Sequence, residues 1–193
     1  MLLNEVTRDL ESLRCHEMTS PIQTTAVHEA GHAIVATHFG IRFEGVELRV
    51  EAIDGFWHCG GRMRGAELPE TADNRRLQMQ LTVIMAGYGA QSLLAQTNRF
   101  SLSEFSFPDD RDFAAAVDVL RLMQPPVTNP RDVEAAMNQA WLDARQLVGA
   151  NWQRMAAIAD ELVGRSHRNG QTIACHIVLT SKDLSRLFSD VAG

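Results

Sequence analysis

Residues 20–40 of the sequence, SPIQTTAVHEAGHAIVATHFG, decide how the rest of the chain is interpreted. Ser20, Pro21 and Gln23 match a helix start: a serine cap, proline at the first helical position, and a side-chain amide three residues after the cap. Apolar residues then recur with helical spacing, and Gly40 is a suitable stop. The segment therefore predicts one helix that begins after Ser20 and ends near Gly40.

The chemistry of this helix lies in its His-Glu-Ala-Gly-His motif, residues 28–32. Two histidines four positions apart project from the same helix face, so both imidazoles can reach one zinc ion at about 2.0–2.1 Å. Glu29 follows the first histidine, where its carboxylate can serve as a general base. We predict His28 and His32 as metal ligands and Glu29 as the catalytic residue. The alternative is a helix whose histidines are ordinary surface or core residues.

A third ligand must come from elsewhere, because a catalytic zinc takes three protein ligands and keeps one open position. The metzincin continuation, Gly-x-x-His at a fixed spacing, does not follow His32. His38 is six positions beyond His32, off the metal-facing side, and we interpret it as a helix-end residue. His58 lies in a predicted strand and is expected to be an ordinary strand histidine. The remaining histidines, His16, His167 and His176, are weaker candidates still.

The other segments predict a mainly α (α+β) fold: a helical domain with a small β-hairpin packed near the zinc-binding helix. Residues 46–52 alternate apolar and polar side chains, Asp54-Gly55 offers a turn, and residues 56–63 return as a second strand. Residues 173–179 are a further strand candidate. Helices are expected over residues 2–14, 71–96, 112–123, 130–149 and 151–163, and after Thr180.

Composition and charge exclude several classes of protein. The chain has 193 residues, of which 45% are hydrophobic and 22% charged, and this excludes disordered and fibrous classes. A formal net charge of -6, without any run of Lys and Arg, argues against a nucleic-acid partner. Charged residues interrupt every apolar stretch, so we expect no membrane span. The 3 scattered cysteines are typical of reduced thiols, and we predict a cytoplasmic protein.

Three segments resemble the peptidase domain of the FtsH-type ATP-dependent zinc metalloproteases. The stretch from Thr25 to Val35 looks like that family's zinc helix, which carries the same His-Glu-Ala-Gly-His motif. Residues 86–94, AGYGAQSLL, are similar to its second core helix. Residues 112–123, DFAAAVDVLRLM, share the register of its Asp-Leu-x-x-Ala-Thr-x-x-Ala-x-x-Met segment. In that family the aspartate of this segment is the third zinc ligand, and the role carries over to Asp112.

The sequence departs from the family at two places near these segments. Gln91 and Ser92 stand where the family usually carries two glutamates, which removes a carboxylate from the surroundings of the ligands. Asp109 and Asp110 precede Asp112 in place of the usual Thr-Gly-Ala, so they are alternatives for the ligand role. Either acid is also a suitable helix cap.

The resemblance covers about residues 20–190 and implies that residues 1–193 are a single FtsH-like zinc peptidase domain, with residues 1–19 as an N-terminal helical extension. It implies Zn²⁺ as the cofactor and a peptide or unfolded protein as the substrate. The sequence has no phosphate-binding Gly-x-x-x-x-Gly-Lys-Ser/Thr loop, so an AAA ATPase, where one is needed, would be a separate chain. A homo-oligomer is left open.

We therefore predict a zinc metalloendopeptidase, a hydrolase that cleaves peptide bonds through a zinc-activated water with Glu29 as general base. The alternative is a non-catalytic, zinc-stabilised protein-interaction or regulatory domain, which Gln91 and Ser92 favour and the intact Glu29 opposes. A helical interaction module with an accidental motif is the third interpretation. The hairpin around Val46–Val50 either offers a strand edge to an extended substrate or covers the zinc helix.

Overall fold

The computed structural model describes residues 21–53, 56–65, 73–95, 111–168 and 174–191. The predicted N-terminal helical extension, residues 1–19, and the predicted cap at Ser20 lie outside the described residues.

The fold is mainly helical with a small antiparallel sheet, which confirms the predicted fold class. None of the described helices is both long and apolar enough to cross a membrane. In chain order the elements are α1 (Pro21–His38), β1 (Gly45–Ile53), β2 (Phe56–Arg64), α2 (Asn74–Ile84), α3 (Ala86–Leu94), α4 (Arg111–Leu122), α5 (Pro130–Ala150), α6 (Trp152–Arg168), β3 (Ala174–Thr180) and α7 (Ser181–Val191).

Helix α1 lies at the centre of the fold, where it packs against α3, α6 and the sheet. Its residues from Ala26 to Ala36 are all buried except His28. A helix surrounded by other elements is expected to be apolar around most of its circumference, as this one is. Gly31 allows α3 to approach closely: a Cβ atom added there would lie 2.6 Å from the Ala86 carbonyl oxygen. The candidate site is therefore built on a helix that other elements enclose.

The sheet has the strand order β2-β1-β3, and β1 pairs antiparallel with both neighbours. The predicted hairpin is β1 and β2, and it packs on α1 as expected. The predicted strand at residues 173–179 is β3, and it occupies the second edge of β1. The strand edge that the predicted hairpin around Val46–Val50 offers therefore belongs to β2, because β1 is the central strand. The free edges of the described sheet belong to β2 and β3.

Two helix boundaries differ from the predictions. The single helix expected over residues 71–96 is two helices, α2 and α3, which meet at Met85. The expected stop at Gly164 is wrong, since α6 continues to Arg168. Glycine inside a helix costs only about 1 kcal/mol, and the burial of Leu162 and Ser166 on either side of it offsets this cost.

Candidate metal centre

The structure brings the predicted ligands His28, His32 and Asp112 together. One turn of α1 separates the histidines, whose ring centroids are 4.6 Å apart with an angle of 82° between the ring planes. Asp112 Oδ2 lies 2.8 Å from His28 Nε2 and 3.2 Å from His32 Nε2. Two imidazole nitrogens and one carboxylate oxygen thus converge on a small volume, as in three-ligand zinc sites.

Asp112 reaches the histidines from the first turn of α4, a helix that packs against α2. Its side chain is 31% exposed, whereas the side chains of His28 and His32 are 14% and 8% exposed. Asp112 therefore lies on the more solvent-exposed side of this group of three residues. The alternatives Asp109 and Asp110 lie outside the described residues.

A backbone carbonyl fixes the orientation of His32. Its Nδ1 lies 2.7 Å from the buried carbonyl oxygen of Val83, so Nδ1 carries the proton and donates it. Val83 is in the last turn of α2, where carbonyls lack the regular helical partner four residues on, so its oxygen can also accept from His32. In the neutral ring Nε2 is then the acceptor, the state that a metal requires.

The charges of the site reinforce one another. Burial alone would lower the pKa of His32, but the Asp112 carboxylate outweighs it and raises that pKa to about 9. Burial alone would raise the pKa of Asp112, but His32 and His28 outweigh it and hold that pKa well below its usual range. Asp112 is accordingly a full carboxylate and the natural countercharge for a cation held beside the two rings.

Glu29 is buried next to the two histidines, and only 5% of it is exposed. Burial raises the pKa of Glu29, and the neighbouring His32 and His28 oppose this effect. Its Oε2 has no hydrogen-bond partner among the described residues. Unpaired buried carboxylate oxygens are costly, and such a group is typical of a site that holds water, a cation or a substrate.

Two carboxylates are thus candidates for the third ligand. Glu29, His28 and His32 each offer one ligand atom within 4.8 Å of the others. Glu29 directly follows His28, however, and successive helix residues project about 100° apart. Asp112 instead places one oxygen within hydrogen-bond distance of both Nε2 atoms. We favour Asp112 as the ligand and Glu29 as the adjacent general base, and this donor set fits zinc.

Glycines shape the site on two sides. A Cβ atom at Gly87 would overlap the ring of His28, and one at Gly61 on β2 would overlap the side chain of Glu29. The ring of Tyr88 packs edge-on against His28, with the centroids 5.1 Å apart. The sequence did not predict the contacts that Gly61, Tyr88 and the Val83 carbonyl make at the site. Their roles come from tertiary contacts that local patterns do not encode.

The family departures at Gln91 and Ser92 make structural contacts. Gln91 Nε2 donates to the carbonyl of Thr24 at 3.5 Å, which joins α3 to the first turns of α1. The Ser92 hydroxyl is buried and donates to the carbonyl of Gly89 at 2.7 Å. The Gln91 contact therefore joins α3 to α1, whereas the Ser92 bond lies within α3 itself.

The other histidines do not take part in the candidate metal centre or have side chains outside the described residues. His38 is the last residue of α1, as predicted, and its ring packs against Phe39. His176 is on β3 and contacts Glu47 on the outer face of the sheet. His16 and the side chains of His58 and His167 lie outside the described part of the chain.

No family model matches the sequence, and a comparison with curated proteins finds no significant match. The interpretation of the metal centre therefore depends on its own residues and on the distances between them.

Proposed function

We propose that this protein is a zinc-dependent metallopeptidase. The observation that carries the proposal is the convergence of Asp112 Oδ2 on two ring nitrogens, at 2.8 Å from His28 Nε2 and 3.2 Å from His32 Nε2. A buried carboxylate, Glu29, lies beside them with one oxygen unpaired among the described residues. Three ligands and a separate base are the components that a hydrolytic zinc site needs.

Each residue has a distinct role in this proposal. His28 and His32 would hold the metal through Nε2, and Asp112 would hold it through a carboxylate oxygen. When bound, zinc would activate a water molecule and polarise the carbonyl of the scissile peptide. Glu29 accepts a proton on Oε2 and passes it to the leaving amine. Its raised pKa suits this transfer, because a general base works best with a pKa near the operating pH.

The sheet supports a peptide as the substrate. β2 is an edge strand of the described sheet, and its Gly61 packs directly on Glu29. An extended peptide that pairs with the free edge of β2 would bring its backbone close to the proposed base. β2 belongs to the hairpin around Val46–Val50 that was expected to offer such an edge. Peptides and unfolded chains can adopt this conformation, whereas a folded substrate would need an unfolding ATPase.

The experiment compares the wild type with Glu29→Gln, which keeps the side-chain volume but removes the base. We expect about one zinc per chain in both proteins, because Glu29 is not a ligand. Cleavage of an unfolded protein should fall by about 10²-fold or more in the variant. Zinc is measured by mass spectrometry of the purified protein, and cleavage by gel and by a quenched-peptide library, with and without chelator.

Matched controls separate the outcomes. Glu134→Gln, at an exposed position of α5, should leave both zinc and cleavage unchanged. His28→Ala and His32→Ala should each lose the metal. Equal cleavage by the wild type and Glu29→Gln would show that a contaminating protease is responsible. A wild type that holds zinc but cleaves nothing, even with candidate ATPases from the same cell added, would refute the proposal and favour a non-catalytic zinc domain.

A further inference from the structure

The face of the sheet that is turned away from α1 carries a cluster of cationic side chains. Alternation along β1 places Glu47 and Arg49 on this face, because Val46, Leu48 and Val50 point into the core. Glu47 pairs with Arg62 on β2, and the neighbouring strand positions supply Arg64 and His176. The outer arginine cluster is defined here as Arg49, Arg62, Arg64 and His176 around Glu47.

Glu47 is only 1% exposed although it lies on the outward face, because the cations of the cluster cover it. Arg49 Nε donates to its Oε1 at 2.6 Å, and Arg62 Nε donates to its Oε2 at 3.2 Å. His176 Nε2 lies 3.1 Å from Oε1 and Arg64 Nε lies 3.7 Å from Oε2. Burial alone would raise the pKa of Glu47, but the hydrogen bonds from Arg49, His176 and Arg62 outweigh it and lower that pKa. The carboxylate therefore anchors the guanidinium groups.

The guanidinium groups of Arg49 and Arg62 are only partly occupied by Glu47, and a second nearby acid, Glu44, pairs with Arg64. The side chains of Arg49, Arg62 and Arg64 are 52%, 53% and 41% exposed. Arg49 and Arg62 hold Glu47 through Nε, and within the described residues their terminal nitrogens make no hydrogen bond. These terminal nitrogens form a fork that binds a carboxylate with two parallel hydrogen bonds. The anchored guanidiniums are also ordered before any ligand arrives, which lowers the entropy cost of binding.

We propose that the outer arginine cluster is a docking site for a short acidic segment of a partner protein. The Asp or Glu carboxylates of that segment bind the terminal nitrogens of Arg49 and Arg62, and Arg64 adds a third positive charge beside them. This site lies on the face of the sheet opposite the metal centre, and it stands independently of the proposed peptidase activity.

Charge complementarity favours a short acidic peptide over a polyanion. Glu44, which is 70% exposed, lies 3.9 Å from Arg64 at one end of the cluster. Glu51, also exposed, follows on the same face of β1 towards the other end. The chain as a whole has a formal net charge of -6. Nucleic acids and anionic membranes present dense, extended negative charge, which Glu44 and Glu51 repel. One or two carboxylates of a short peptide fit between these two glutamates.

The test measures the binding of two fluorescent peptides to the full chain by polarisation. One is a Ser-Gly peptide with two glutamates separated by a single serine, and the other has glutamine in both places. We expect the glutamate peptide alone to bind, and to bind more weakly as salt is raised. The double variant R49Q/R62Q should weaken this binding by about tenfold or more. The control R75Q/R131Q removes the same charge from exposed helix positions and should change the affinity for the glutamate peptide by less than about twofold.

A second variant guards against loss of folding, because R49Q/R62Q removes two donors from the buried Glu47. Arg64→Gln leaves both of those hydrogen bonds in place and should still weaken binding by about threefold. Circular dichroism establishes that each variant is folded. Equal binding of the two peptides, or equal weakening by R75Q/R131Q, would overturn the proposal. So would tighter binding of duplex DNA or of phosphatidylserine vesicles, or concentration-dependent self-association that R49Q/R62Q abolishes.

Discussion

The two nitrogens of His32 have different partners, and this difference sets what the site can bind. Nδ1 donates to the Val83 carbonyl at 2.7 Å, while Nε2 faces Asp112 at 3.2 Å. The ring therefore cannot rotate without losing a buried hydrogen bond, which would cost about 1–3 kcal/mol. A ligand held in this way presents its lone pair in a fixed direction, and the site is organised before a metal arrives.

The same geometry predicts the effect of removing the Asp112 charge. Asp112→Asn keeps the size of the side chain but replaces a charged ligand oxygen by a neutral amide. We expect the zinc dissociation constant to rise by about 100-fold or more. Mutation of a residue that only contacts a metal ligand already lowers metal affinity by about 10–100-fold, and the loss of a ligand should lower it at least as much. Competition with a chromophoric chelator measures the constant.

Asp118→Asn is the matched control for this experiment. Asp118 lies on the same helix, α4, but its side chain is 70% exposed and pairs only with Arg121 at the surface among the described residues. Zinc affinity should be unchanged in this variant. Similar affinities for Asp112→Asn and the wild type would remove Asp112 from the ligand set and return the role to Asp109, Asp110 or Glu29.

At the scale of elements, β2 places two adjacent glycines in different surroundings. A Cβ atom at Gly61 would overlap the Glu29 side chain, whereas one at Gly60 would meet nothing within 4 Å. We expect Gly61→Ala to displace the Glu29 carboxylate and to lower peptide cleavage by about 10²-fold, because small misplacements of catalytic groups have effects of that order. Zinc content should stay at the wild-type level.

Gly60→Ala is the control, since it makes the same change one position away in the same strand. It should leave cleavage and zinc content at the wild-type level. If the two variants behave alike, then β2 does not position the base, and the proposed role of its edge in substrate binding loses its support.

Several elements were predictable because their signals are local. Proline at the first position and helical apolar spacing define α1, and the strand alternation around Asp54-Gly55 defines the hairpin. The capping pair Thr180 and Asp183 marks α7, and the structure confirms it: the Thr180 N–H donates to Asp183 Oδ2 at 2.9 Å. The placement of His28 and His32 on one face of α1 also follows from helix geometry alone.

The remaining features depend on contacts between distant segments. His28 and Asp112 are 84 residues apart, and only the family resemblance suggested that they meet. The break at Met85 has no sequence signal, because apolar residues continue on both sides of it. The pairing of β3 with β1 and the packing of Gly61 on Glu29 likewise depend on tertiary structure.

At the scale of the whole molecule, one arginine joins three elements. Arg165 on α6 donates to Asp183 on α7 at 2.8 Å and to Glu161 at 2.9 Å. It also donates to the carbonyl of Val178 on β3 at 3.3 Å. These bonds connect the last strand and the last helix to the helical core, so the network is expected to contribute to global stability.

The network predicts how stability depends on pH. The hydrogen bonds from Arg165 and Thr180 lower the pKa of Asp183 to about 2, whereas an unfolded aspartate has a pKa of about 3.9. The unfolded chain thus takes up the proton first as the pH falls. The Asp183 contribution, about 1–2 kcal/mol after allowance for its partial exposure, is complete above about pH 5 and is lost between about pH 4 and pH 2.

Urea denaturation of the wild type and Asp183→Asn measures this contribution. The difference in unfolding free energy should be about 1–2 kcal/mol at neutral pH and should vanish near pH 2. Glu134→Gln, which changes an exposed carboxyl of α5, should differ little from the wild type throughout. A difference that stays constant with pH would show that the ionised Asp183 is not the stabilising form.

The position of β3 in the chain has a consequence for how the protein is made. β3 leaves the ribosome after α1 to α6, yet it covers one edge of β1, which precedes α2 to α6 in the chain. Until then the nascent chain displays an uncovered strand edge, a surface on which chains aggregate. Pairing across so many residues is also slow. We therefore expect the newborn chain to depend on chaperones until translation passes Thr180.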